Sequence, residues 1–260
     1  MFARSTFGRA LALAAVTATV AAAGARAQQL PPARQVVDRY LEATGAKAAA
    51  GRFQSRHMVT EMSMPAMGMT MTMHVYQARP NKLLVRTEMP GMGNASLGFD
   101  GTTAWSTNPM QGPRILEDAR EVADLLRQAE FDSYDFAKVY DRMETVGERT
   151  VAGRPCWNVR MSSTQGKLQG LQADYCFDKE TGLAVAATMK QTSQMGEMEI
   201  QSVMSDYRDF DGLKMPTRTT STMMGQEMVH TVKSVTHEPL DASLFTLPPE
   251  VQALKGQRQD

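Results

Sequence analysis

Residues 62–74 read MSMPAMGMTMTMH, with methionine at six of thirteen positions. From Gly68 onward methionine is spaced by single residues, which is the period of an extended strand whose side chains alternate between two faces. A helix would scatter these methionines around its circumference. Pro65 and Gly68 interrupt the run with residues that favour a chain reversal. The stretch is therefore predicted to be a hairpin, with strands over 54–63 and 68–77 and Pro65 at the second position of a type I turn. In that register Met64 faces Met67, Met62 faces Met69, Thr60 faces Met71, and Met58 faces Met73. Met58, Met62, Met64, Met67, Met69, Met71 and Met73 then share one face, while His57, Glu61, Thr72 and His74 occupy the other.

Most of the remaining chain repeats this grammar. Short runs rich in Thr, Val, Met and aromatic residues are broken at Pro90-Gly91, Asp100-Gly101, Gly153, Thr181-Gly182 and Asp211-Gly212. Strands at this spacing, with few helices between them, predict an antiparallel sheet that curls or closes. Helical periodicity is confined to two places. Val36, Val37, Tyr40 and Leu41 form one stripe after Pro31-Pro32 and before Gly45, and Val122, Leu125, Leu126 and Ala129 form another within 117–130. No fixed repeat or low-complexity linker divides the chain, so residues 28–260 are expected to form one domain with a short disordered C-terminal tail.

Arg4 and Arg9 precede an apolar run of small residues from Ala10 to Ala23, and Ala25-Arg26-Ala27 matches a small-x-small cleavage pattern. Residues 1–27 thus predict a secretory signal peptide, with a mature start near Gln28 and a periplasmic or secreted destination. The run is too short and alanine-rich for a good membrane anchor. An oxidising compartment makes a disulfide the expected state of the two cysteines, Cys156 and Cys176. A hairpin centred on Gly166 would place them directly opposite each other, within disulfide reach.

The chain carries 28 basic and 28 acidic side chains, a balance that argues against nucleic acid as partner. It contains no GxSxG elbow, HExxH, P-loop or helix-opening GxGxxG, and the expectation is a protein without catalytic activity or cofactor. Asp132, Asp135, Asp141 and Glu144 read as solvated charges, and Asp206, Asp209 and Asp211 as a polar hairpin end. The methionine face has three readings: an ordinary core, a cavity wall that repacks around a variable apolar ligand, or a soft-metal site. In the metal reading, Met67, Met69, Met71, Met73 and His74 would hold Cu(I) or Ag(I).

Residues 78–109, ARPNKLLVRTEMPGMGNASLGFDGTTAWSTNP, resemble the periplasmic lipoprotein carrier family LolA and its relatives among outer-membrane lipoprotein-sorting proteins. The resemblance rests on Arg79-Pro80-Asn81, Asp100-Gly101, Trp105 and Asn108-Pro109. It rests also on the closing segment LDASLFTLPPEVQAL, with Phe245 and Pro248-Pro249 in place. It implies an α+β fold in which a curved antiparallel sheet forms an incomplete barrel covered by a lid of helices. It further implies a cavity for lipid or lipoprotein acyl chains, exchange with an envelope donor or acceptor protein, and a role for Arg79 as the latch of the lid. Residues and resemblance converge on a non-catalytic periplasmic carrier and chaperone of an apolar ligand. A periplasmic Cu(I)- or Ag(I)-binding protein is the alternative.

Overall fold

The computed structural model describes residues 29–193 and 196–256. The expected signal segment, Gln28 and the end of the chain after 256 lie outside the described residues. The first six strands, β1 (Ser55–Met64), β2 (Met69–Ala78), β3 (Lys82–Met89), β4 (Gly93–Phe99), β5 (Ala104–Asn108) and β6 (Gly112–Ile115), run as a meander. The chain then crosses to the far edge and returns through β7 (Arg142–Val151), β8 (Arg154–Ser162), β9 (Gln172–Asp178), β10 (Ala184–Ser193), β11 (Gly196–Phe210), β12 (Leu213–Met223) and β13 (Gln226–Thr236). Because β13 pairs with β1, the two meanders fuse into one 13-stranded antiparallel sheet. Its edges are β6 and β7, which do not pair, so the curled sheet stays an incomplete barrel.

Among the described residues, four α-helices complete this α+β fold: α1 (Ala33–Ala43), α2 (Ala46–Ala49), α3 (Ala119–Ala129) and α4 (Pro249–Gly256). In α1, Val36, Val37, Tyr40 and Leu41 are buried as their spacing predicts, packed with Val159, Phe177 and Ala184 of the second meander. The helix stops where Thr44 Oγ1 donates to the Tyr40 carbonyl at 2.8 Å. Gly45 follows at φ +73°, and a Cβ there would lie 2.3 Å from the Gly212 carbonyl oxygen, so only glycine fits. The crossing from β6 to β7 is made by α3, whose first turn is capped by Asp118 accepting from the Arg120 and Glu121 amides, each at 3.0 Å. Its apolar stripe, Leu125, Leu126 and Ala129, packs on Leu83, Val85, Phe99 and Ala104 inside the barrel.

The methionine hairpin has the expected strands but a register displaced by two residues. Met64 pairs with Met69, Met62 with Met71, Thr60 with Met73, and Met58 with Val75. The connection is a 3-10 turn, Pro65–Met67, closed by Gly68 in the left-handed region, rather than the shorter turn expected. A two-residue displacement preserves side-chain alternation, so six of the expected methionines keep a common face. Met67 is the exception; it sits in the turn and is 60 % exposed.

The β8–β9 hairpin shows the same kind of displacement. Cys176 pairs with Asn158 and Cys156 with Asp178, so the cysteines are diagonal neighbours rather than directly opposed. They nonetheless form the expected disulfide, with Cα atoms 5.5 Å apart and both residues buried beside Val185 and Ala186. Closing a loop of that length removes enough unfolded-chain freedom to stabilise the fold by about 3 kcal/mol.

The outer surface of the first meander is covered by the C-terminal segment. Phe245 and Val251 pack there on Leu84 and Trp105, with Tyr76 and Ile115 around them. Trp105 lies flat across Gly98 of the neighbouring strand, where an added Cβ would meet the indole at 2.4 Å. Gly98→Ala is therefore expected to destabilise the protein by about 1–3 kcal/mol, the usual cost of overpacking. A denaturant titration followed by tryptophan fluorescence reads that loss, and an unchanged midpoint would mean that Trp105 has room to move.

Candidate functional site

The concave face of the sheet is apolar along β1, β2 and β3, and α1 and α3 stand over it. Between sheet and helices lies a cavity of about 380 Å³. Met58, Met73, Val75, Leu83 and Val85 form one wall, and Met204, Leu213 and Met215 of the second meander form another. Tyr40 from α1, Phe136 and Tyr175 close it, and Tyr207 and Arg127 add polar atoms. Burial, reinforced by neighbouring tyrosines, pushes the hydroxyls of Tyr40 and Tyr207 above their ordinary range, so both stay neutral. A second hollow of about 880 Å³ lies on the other flank of α3, among Phe99, Leu116, Val122, Leu126 and the 3-10 turn Gly166–Leu168.

The expected cavity residues therefore divide into three groups. Met58 and Met73 line the cavity. Met62, Met64, Met69 and Met71 continue the same concave face toward the hairpin turn, beyond the cavity wall. Met67 is outside both sets. Sequence reasoning missed Met204, Met215, Tyr175 and Tyr207, because these come from strands whose pairing to β1 runs through the long-range β1–β13 contact, and it placed Tyr40 only in the apolar stripe of α1.

Arg79 is held in a dense polar contact at the base of the cavity. Its Nη1 and Nη2 donate to Asp132 Oδ2 and Oδ1 at 2.7 and 2.6 Å, and its Nε donates to the Phe53 carbonyl at 2.8 Å. Tyr134 donates its hydroxyl to Asp132 Oδ1 at 2.7 Å. Beside it, buried Arg56 donates to Gln77 Oε1 at 3.0 Å and to the Phe131 carbonyl at 3.1 Å. Gln77 in turn donates to the Gln128 carbonyl at 2.7 Å. Both guanidinium groups lie over the Phe131 ring, at 5.0 Å for Arg56 and 4.7 Å for Arg79. The Arg79–Asp132, Arg56–Phe131 and Gln77–Gln128 contacts join β1, β2 and the residue after β2 to the end of α3 and the chain that leaves it. Asp132, read from sequence as a solvated charge, is instead a half-buried partner of Arg79, because that chain turns inward at buried Phe131.

Burial lowers the Arg56 guanidinium to about 10, which leaves it charged at neutral pH. Burial acts to raise the Asp132 carboxyl, but hydrogen bonds from Arg79 and Tyr134 outweigh it and hold the group below the ordinary carboxylate range.

The metal set expected from sequence is not brought together. His74 alternates to the convex face, away from Met69, Met71 and Met73. There its Nδ1 is 3.2 Å from His57 Nε2, and its Nε2 is 3.7 Å from Glu88. Among the described residues, no three His, Cys, Asp or Glu side chains cluster as a metal site. No helix among them is long and apolar enough to cross a membrane.

An open antiparallel barrel with helices over its concave face defines a LolA-like fold. The chain is similar to a LolA superfamily protein from Nitrosomonas europaea, with a TM-score of 0.58, 11 % identity, and 84 % of this chain and 98 % of that one covered. A DUF1329 family protein from Desulfovibrio piger matches with a TM-score of 0.58, 15 % identity and coverage of 83 % and 97 %. A putative outer membrane lipoprotein-sorting protein domain from Vibrio parahaemolyticus matches with a TM-score of 0.55, 13 % identity and coverage of 81 % and 97 %. At these identities the likeness is one of fold. The chain belongs to the family described as a domain of unknown function, DUF4412, whose model matches residues 120–251, from the first turn of α3 into α4. No protein of curated function matches the sequence.

The depressed Asp132 carboxyl has a pH consequence. A group whose folded pKa lies below its unfolded value contributes stability that is complete above the unfolded value and lost as pH falls through the folded one. The tie to Arg79 should therefore hold at neutral pH and weaken below about pH 4, the ordinary carboxylate range. Hydrogen-exchange protection of the residue 128–134 amides, taken relative to unstructured amides at the same pH, is expected to fall in that acid window, and Asp132→Asn should show low protection at every pH. Equal protection of the two proteins at neutral pH would show that the tie does not hold this segment.

Proposed function

We propose that this protein is a non-catalytic carrier that shields an apolar ligand, the acyl chain of a lipid or lipoprotein, between the concave sheet face and α3. The observation that carries the reading is the 380 Å³ cavity, walled by Met58, Met73, Val75, Leu83 and Val85 and roofed by helices. Its volume falls in the range of small-molecule sites. Each buried methylene gains about 0.8 kcal/mol, so a long chain needs few polar anchors. Methionine suits such a wall because its unbranched thioether repacks at little cost around ligands of different shape. The likeness to a lipoprotein-sorting domain supports the reading, and a periplasmic location belongs with it.

In this reading α3 is the lid and Arg79 its latch. The helix separates the cavity from the 880 Å³ hollow on its other flank, so moving it outward joins two apolar spaces. Its ends are held unequally. The C-terminal end is tied by the buried contacts of Arg56, Gln77 and Arg79. The N-terminal end meets the sheet through the exposed Arg120–Glu197 pair at 3.3 Å and through half-buried Glu121, which accepts from Arg114 of β6 at 2.8 Å. Displacement of the helix requires the Arg79–Asp132 contact to break.

Titration of the purified protein with a fluorescent long-chain fatty acid tests the carrier. Val75→Trp, which fills the cavity without adding charge, should weaken binding by about tenfold or more. Met110→Trp, at a site 85 % exposed and away from the cavity, should leave binding unchanged. Arg79→Leu should speed release of bound probe. Equal binding by the Val75 variant and the wild-type protein would remove the cavity as the site.

A further inference from the structure

The methionines beyond the cavity wall have a second feature, which the carrier does not use. Met62 on β1 is the pairing partner of Met71 on β2 and, on its other side, of His230 on β13. Three soft or borderline donors thus stand side by side across adjacent strands, on one face. Directly opposed residues on neighbouring strands have Cβ atoms about 4.5–5.5 Å apart, within the span of two flexible thioethers and an imidazole converging on one point. One step toward the hairpin turn, Met64 pairs with Met69, and Met228, two residues before His230, alternates onto the same face. We propose that this row binds one soft monovalent cation, Cu(I) or Ag(I), through the thioethers of Met62 and Met71 and the imidazole of His230.

The chemistry of the surroundings selects for softness. Thioethers prefer Cu(I), and imidazole accepts copper as readily. Hard cations need carboxylate or carbonyl oxygens, and here the acidic neighbours point the wrong way. Glu61, Glu88 and Glu227 alternate onto the convex face, while Thr219, the partner of His230 on β12, is neutral. Met71 is only 6 % exposed, whereas Met62 and His230 are half-buried, so the row is partly dry yet reachable from the hairpin end. It lies beyond the cavity wall toward the turn: at ~3.3 Å per residue, Met62 is about 13 Å along β1 from Met58 and Met71 about 7 Å along β2 from Met73. The residues differ from the set expected on sequence, because His74 faces away and His230 comes from a strand 156 positions later, 230 against 74.

The test is silver titration of the full chain followed by native mass spectrometry, with Cu(I) competition against bicinchoninate under reducing conditions as its partner. One equivalent is expected, with shifts of the Met62 and Met71 methyl signals in protein carrying ¹³C-methyl methionine. Met62→Leu/Met71→Leu keeps volume and apolarity but removes both sulfurs, and should weaken binding by about tenfold or more. Met110→Leu/Met224→Leu, at positions 85 % and 78 % exposed, should bind as the wild type does. Absence of a bound equivalent in the wild-type protein would overturn the proposal, and so would unchanged affinity in the Met62/Met71 variant. Fatty-acid binding measured on the same samples separates this outcome from that of the carrier reading, since leucine leaves the apolar face intact.

Discussion

Arg56 and Arg79 both rest on the ring of Phe131, and the Asp132 carboxylate accepts both terminal nitrogens of Arg79. Neither arginine can be removed from water without a compensating set of acceptors. Those acceptors are the carbonyls of Phe53 and Phe131, the amide oxygen of Gln77, and the Asp132 carboxylate. Two of these four groups belong to the chain leaving α3, and Gln77 donates in turn to the Gln128 carbonyl of the helix itself. The helix is thereby placed over the concave face by the polar requirements of two strands, as much as by its own apolar stripe. Loss of Asp132 would take the carboxylate hydrogen bonds from Arg79, and the repulsion between the two neighbouring cations would be less offset.

That constraint matters because the sheet cannot close. With β6 and β7 unpaired, the concave face would be wet along the gap, and its Leu, Val and Met side chains would face solvent. The chain solves this by making the covering element the connection itself: α3 links the two edge strands that fail to meet. Burial of Leu125, Leu126 and Ala129 then secures the middle of the helix against β3 to β5. Space remains beside it because the roof is one helix wide, and the cavity and the second hollow are the two sides of that narrow roof. The outer surface has no such freedom, since Phe245 and Val251 seal it against Trp105.

Periodicity carried most of the fold into the sequence. The stripe of α1 was legible, and that of α3 too except that Ala123 is buried where Val122 is only partly so, because a 3.6-residue repeat of apolar side chains has few alternative interpretations, and the alternating methionines marked β1 and β2 just as plainly. Register was legible only in parity. The turn at Pro65–Met67 with Gly68 takes more residues than the type I turn assumed, which moves every pair by two but leaves every side chain on its face. The same displacement recurs between Cys156 and Cys176, where the diagonal contact still permits the disulfide. What stayed hidden was long-range. Asp132 looks solvated until Phe131 is known to turn inward, and no local pattern links Met62 to His230 or Met58 to Met204. These contacts depend on β13 returning to β1.

The methionine face need not have one explanation along its whole length. Around Met58 and Met73 the neighbours are Tyr40, Phe136, Tyr175 and Tyr207, large rigid rings that leave irregular gaps. An unbranched, flexible side chain fills such gaps in more than one way, and sulfur is incidental to that role. Toward the turn, at Met62, Met64, Met69 and Met71, the cross-strand neighbours are other methionines and His230. Leucine or isoleucine would serve there equally well as apolar cover, with better-defined rotamers. The excess of sulfur is therefore informative at this end and not at the other. Strand alternation puts flexibility and softness on one continuous surface, with the first property used under the lid and the second available beyond it.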